Sequence, residues 1–126
     1  MPRRAIRNEQ MPKPFGPYSP AVAASGELVF ISGQPGIELK SGDVPSSFAA
    51  QARNAFENVS AVARAAGVTM ADVAKTTVYL ADASQFETLN KLFGEYFPND
   101  PPTRATPVVQ LPKGLLISIE AIAVRP

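Results

Sequence analysis

The stretch L-L-I-S-I-E-A-I-A-V, residues 115–124, reads as one buried strand that nevertheless carries a serine and a glutamate. Side chains alternate across a strand, so Leu115, Ile117, Ile119, Ala121 and Ala123 share a wholly apolar face. Leu116, Ser118, Glu120, Ile122 and Val124 share the other. The first face asks for a covering layer. The second holds a carboxylate that, unpaired in apolar surroundings, costs several kcal/mol or is driven neutral.

Working outward, L-P-K-G (111–114) turns the chain, so Thr106–Leu111 is predicted to pair with this strand as a terminal hairpin. Before it, Ser84 with Glu87 forms a capping box that opens a helix through Phe86, Leu89, Phe93, Tyr96 and Phe97. P-N-D-P-P (98–102) ends that helix. Val73–Ala81 is a strand rich in β-branched and aromatic residues. A longer helix precedes it, capped by Ser46 or Ser47, with Phe48, Ala52, Phe56, Val59, Val62 or Ala63, and Ala66 at helical spacing and Gly67 as its stop. Two short apolar runs, Ser19–Ala24 and Leu28–Ser32, flank S-G-E and are predicted to form a hairpin, after which S-G-Q-P-G (32–36) turns the chain away.

The order β-β-α-β-α-β-β implies an α+β two-layer sandwich with helices on one face of the sheet. Too little chain remains to cover the other face, which bears Leu116, Ile122 and Val124. An uncovered apolar sheet face marks an association surface, so an oligomer is expected.

At 126 residues the chain fits one domain, assigned to 15–126, with residues 1–14 as an N-terminal surface arm. A net charge of +1 gives no case for nucleic acid or an anionic membrane as partner. No run approaches the roughly 20 apolar residues of a membrane helix, and no signal-peptide core follows the basic start, so a cytoplasmic location is expected. The counts of Cys and His are both 0. That excludes disulfides, thiolate nucleophiles, the usual zinc sites and any Ser-His-Asp or Cys-His mechanism. No metal site is expected.

Four polar residues stand out. Besides Glu120, Asn90 lies four residues after Phe86 and three before Phe93, on or beside its helix's apolar stripe. Arg104 follows two prolines at the start of a strand. Tyr18 sits in F-G-P-Y-S-P, between two prolines. Each has a plainer reading: an edge Asn bonded to a loop, a solvated arginine, a packing tyrosine, a salt-bridged or edge glutamate. Together, a rigid arginine and a strand carboxylate without any nucleophile suit binding a small carboxylate and steering a water molecule.

The chain resembles the RidA/YjgF family, also labelled endoribonuclease L-PSP, over nearly its full length. Among the motifs that carry the resemblance are G-P-Y-S-P-A-V (16–22), I-S-G-Q (31–34), Q-A-R-N-A-F-E-N-V (51–59), V-A-K-T-T-V-Y-L-A-D (73–82), F-E-T-L-N (86–90), P-T-R-A-T (102–106) and I-E-A-I-A-V (119–124). The resemblance implies a chorismate-mutase-like fold and a homotrimer with sites between subunits. It also implies cofactor-free hydrolysis of reactive enamines and imines, of the 2-aminoacrylate type, to 2-keto acids and ammonia. Arg104 matches the arginine that holds the substrate carboxylate, Gly33 and Thr106 match positions whose backbone lines the pocket, and Tyr18, Ser32 and Asn90 match positions around it.

The chain departs from the family pattern near its end. The family's last strand often reads I-E-I-E-A, the first glutamate positioning the attacking water; here Ser118 stands there and Glu120 matches the second glutamate. The segment from Arg104 to Leu111 is one residue shorter, and Pro107 replaces a residue with an N–H, which points to an edge or a bulge. Three roles stay open for the pair: Glu120 reaches a differently placed water, Ser118 holds one more weakly, or the carboxylate is structural and hydrolysis is lost. The functional readings are therefore a deaminase, a non-hydrolytic trimer that binds a small carboxylate as sensor or enzyme partner, and an RNA-cleaving enzyme. The absence of histidine and of a basic stripe argues against the last.

Overall fold

The computed structural model describes residues 2–126. Its strands are β1 (Arg3–Ile6), β2 (Ala21–Ala24), β3 (Glu27–Pro35), β4 (Val73–Leu80), β5 (Thr103–Ala105) and β6 (Ile117–Arg125), with helices α1 (Phe48–Ala65) and α2 (Phe86–Tyr96). The main sheet runs β3-β6-β4-β5, and β1 and β2 form a separate two-stranded sheet. This is the expected α+β arrangement of two helices against a sheet. Among the described residues no helix is long and apolar enough to cross a membrane.

The strand read from 115–124 is β6, at the centre of the sheet. Ile117, Ile119, Ala121 and Ala123 are buried, while Ser118, Glu120 and Ile122 are half-exposed on the opposite side, as alternation requires. Between β6 and the helices lie Ala52, Phe56, Val59, Val78, Leu80, Leu89 and Phe93. Phe56 stacks on Tyr96 at 4.7 Å and meets Phe93 edge-on at 6.1 Å, joining α1 to α2.

Helix α1 starts and stops where its sequence says. Ser47 Oγ accepts from the Ala50 N–H at 3.2 Å, and Gly67 adopts φ +83°, with Gly67 N–H bonded to Arg64 O and Val68 N–H to Ala63 O. That is a Schellman stop, open to glycine at little conformational cost. Gln51, fully buried on α1, clamps three backbone groups: its Nε2 donates to Pro45 O (2.8 Å) and Gly114 O (3.1 Å), and its Oε1 accepts from Leu116 N–H (2.8 Å).

Four expectations are corrected. Part of the predicted surface arm, Arg3–Ile6, is strand β1 paired antiparallel with β2, and Arg3 is buried with its Nη2 donating to Asp100 O at 2.6 Å. The predicted β2–β3 hairpin does not form a ladder; the chain passes through Gly26 from one sheet into the other, and β3 pairs with β6. The predicted strand 106–111 is reduced to a single parallel bridge, Val108 to Leu80, since Pro107 has no N–H and interrupts the edge. The actual β5 lies earlier and runs parallel to β4, so no terminal hairpin joins it to β6. Finally, Ser84 does not cap α2. Asp82 Oδ1 accepts from Ser84 N–H at 2.9 Å and opens a short 3-10 turn, Ala83–Gln85, that leads into the helix.

Candidate functional site

The sequence-predicted residues gather in two clusters. The first surrounds Arg104. Its register partner on β4 is Thr76, which is buried under the helices, so Arg104 also points to the helix side. There its guanidinium carbon lies 4.7 Å from the centre of the Tyr18 ring, 5.0 Å from Phe93 and 5.2 Å from Phe86. Aromatic faces attract a cation but accept no conventional hydrogen bond. Nε, Nη1 and Nη2 are all buried and without a partner, and burial lowers the guanidinium pKa to about 10. Arg104 therefore remains charged at neutral pH, with its donors unspent.

Asn90 stands beside it on α2. Its Nδ2 faces Phe15 O at 3.4 Å, and its Oδ1 is buried without a partner. The loop-bonded asparagine and the packing tyrosine are thus both partly right, since the Tyr18 hydroxyl accepts from Phe15 N–H at 3.0 Å while its ring flanks Arg104. The solvated-arginine reading is not. Gly16 closes the cluster: a β-carbon there would meet Asn90 Oδ1 at 2.6 Å and Arg104 Nη2 at 3.0 Å.

The second cluster lies on the open side of the sheet. Glu120 is the partner of Thr77 on β4; on its other side the β3 register skips from Ile31 to Gln34. Two residues, Ser32 and Gly33, therefore oppose the single Glu120, a β-bulge of the kind that re-aims side chains beside functional sites. Ser118 sits below the bulge, its Oγ 2.9 Å from where a Gly33 β-carbon would be. Among the described residues Glu120 makes no salt bridge, and its strand lies between β3 and β4 rather than at an edge. Its Oε1 accepts from the Tyr79 hydroxyl at 2.8 Å, and that bond is the first cause of the raised Tyr79 pKa. A cleft of about 300 Å³ opens on this side, lined by Phe30, Ser32, Lys75, Thr77, Glu120 and Ile122.

Thr106 follows β5 directly and is half-buried. Because Thr76 and Thr77 are consecutive, their partners Arg104 and Glu120 lie on opposite faces of one sheet. The structure brings together Arg104, Tyr18 and Asn90, and separately Ser32, Gly33, Ser118 and Glu120; it does not bring the two sets together within one chain. Sequence reasoning missed Phe86, Phe93 and Gly16 as the walls of the arginine's niche. The available signal was Asn90 itself, a polar residue midway between two phenylalanines of one stripe.

The chain matches the family described as Endoribonuclease L-PSP over residues 8–125. It is 44% identical over 125 residues to a RutC family protein of Pyrococcus horikoshii, spanning 98% of each chain. It is 39% identical over 126 residues to the 2-iminobutanoate/2-iminopropanoate deaminase of Escherichia coli, spanning 97% of this chain and 98% of that one. A crystal structure of Escherichia coli TdcF with bound serine is similar at 36% identity and a TM-score of 0.76, covering 98% of this chain and 99% of that one. Matched by the family model from residue 8 to 125 and similar over nearly its whole length to these relatives, the chain belongs to the endoribonuclease L-PSP, or RidA/YjgF, family.

Proposed function

We propose that this protein hydrolyses small reactive 2-imino and enamine acids to 2-keto acids and ammonia, with Arg104 holding the substrate carboxylate. The observation that carries this reading is the set of three buried guanidinium nitrogens on Arg104 with no partner. Buried donors are almost always paired, and a planar guanidinium fork fits a carboxylate with two parallel bonds. A relative that bears the deaminase name and one that binds serine support a small substrate of this kind.

The chemistry asks for placement more than for strong acid or base. Water adds to the carbon of the protonated C=N bond as its π electrons return to nitrogen. A proton then passes from oxygen to nitrogen, an oxygen lone pair forms the C=O bond as the C–N bond breaks, and the departing ammonia or water takes the remaining proton from the carbonyl oxygen. A held substrate and an oriented water supply most of what such a step needs. Glu120 and Ser118 are the groups proposed to orient the water, and because they lie on the other sheet face from Arg104, a second copy of the chain supplies them. The assembly proposed is the homotrimer.

A second reading, a carboxylate-binding trimer without hydrolysis, is favoured by Ser118 in the place of the usual glutamate and by the engagement of Glu120 with Tyr79. One experiment separates the two: generate 2-aminoacrylate with a serine dehydratase and follow keto-acid formation with and without this protein. Acceleration that Arg104→Ala lowers by about a hundredfold or more is the expected result. No acceleration in the wild type, with activity gained in Ser118→Glu, would establish the binding reading instead.

A further inference from the structure

We infer that Asn90 reads the substrate's nitrogen, its Oδ1 accepting an N–H from the 2-imino group while Arg104 holds the carboxylate; this rests on the function proposed above. Two orphaned groups of opposite kind meet here. Arg104 offers only donors, and Asn90 Oδ1 is only an acceptor; all are buried and unpartnered. Both approach the point where Gly16 lacks a side chain, at 2.6 Å and 3.0 Å from a β-carbon built there.

The orientation of the amide follows from its other contact. Nδ2 faces Phe15 O, and turning the amide over would set two carbonyl oxygens against each other. A ligand that satisfies both orphans carries a carboxylate next to an N–H donor. A protonated 2-imino acid does, and so does a 2-amino acid. A 2-keto acid sets an oxygen lone pair against Oδ1 instead. The pair thus distinguishes substrate from product at the atom that changes. The covering turn has hydrogen bonds internal to itself, Phe15 N–H to the Tyr18 hydroxyl and Tyr18 N–H to Gly16 O, and is tied to α2 through Phe15 O, which accepts from Asn90 Nδ2.

The test is calorimetric titration with 2-aminobutanoate and 2-oxobutanoate, which share a skeleton and differ only at C2. Wild-type protein is expected to favour the amine-bearing ligand by about tenfold to a hundredfold. Asn90→Leu should abolish that preference while keeping affinity for the keto acid, and Asn90→Asp, which sets a carboxylate beside Arg104, should weaken both ligands. Equal affinity in the wild type, a preference that survives Asn90→Leu, or loss of both ligands in a folded Asn90→Leu would each overturn the assignment. The function proposed above fails separately, if wild-type protein binds neither ligand or if Arg104→Ala binds both as well as wild type does.

Discussion

A lone cation enclosed by three aromatic rings is an expensive residue. Desolvation disfavours its charge, and only the ring faces offset that loss. Replacing buried charge with an apolar side chain of similar volume often stabilises a protein. Arg104→Met is therefore expected to raise stability by about 1–2 kcal/mol in thermal or denaturant melts while abolishing retention of a small carboxylate. A melting temperature that falls would mean that the guanidinium holds the fold together. The sequence made Arg104 visible through its two preceding prolines. Its enclosure was not legible, because the niche is assembled from residues 16–18, helix α2 and β5, three segments far apart in the chain.

Elements whose ends are set by local chemistry were legible; those set by long-range pairing were not. The α1 cap at Ser47 and the stop at Gly67 depend on residues within one turn, and both stand where expected. The terminal hairpin failed because nothing local tells β6 that β4 will slide in beside it and leave β5 at the edge. The entry to α2 failed by two residues, Asp82 taking the role assigned to Ser84. The bond from Ser84 N–H holds the Asp82 carboxylate below its usual pKa of 3.8, so its contribution is present above that value and is lost as pH falls through the folded pKa. Asp82→Ala should lower the melting temperature at neutral pH more than Ser84→Ala, and the two variants should converge in strong acid. Equal losses at neutral pH would return the cap to Ser84.

At the scale of the molecule, the two-layer plan follows from counting layers; of the residues expected on the uncovered face only Ile122 stays half-exposed there, beside Phe30 at 70% and Leu28 at 51% exposure, while Val124 is fully buried and Leu116 packs against the core. What counting could not show is that Arg104 and Glu120 face away from each other, since that depends on the register of β5 against β4 and β4 against β6. An assembly that pairs the open face of one copy with the arginine side of another would explain both features. Phe30→Asp is expected to yield monomers in sedimentation at micromolar concentration and to lose activity together with assembly. A monomeric wild type, or an unchanged oligomer in the variant, would remove that arrangement.

The Gln51 clamp has a bearing on how such a chain tolerates change. Its amide grips Gly114 O and Leu116 N–H just ahead of β6, so the strand enters the sheet from a point fixed by α1, whatever the loop before it has done. A slip of one residue in β6 would send Glu120 into the core and Ile119 to the open face. The segment between Arg104 and Leu111 can therefore lose or gain a residue without rotating the strand that follows. Loop length and strand phase are uncoupled, which leaves the loop free to vary while the far half of the site keeps its aim.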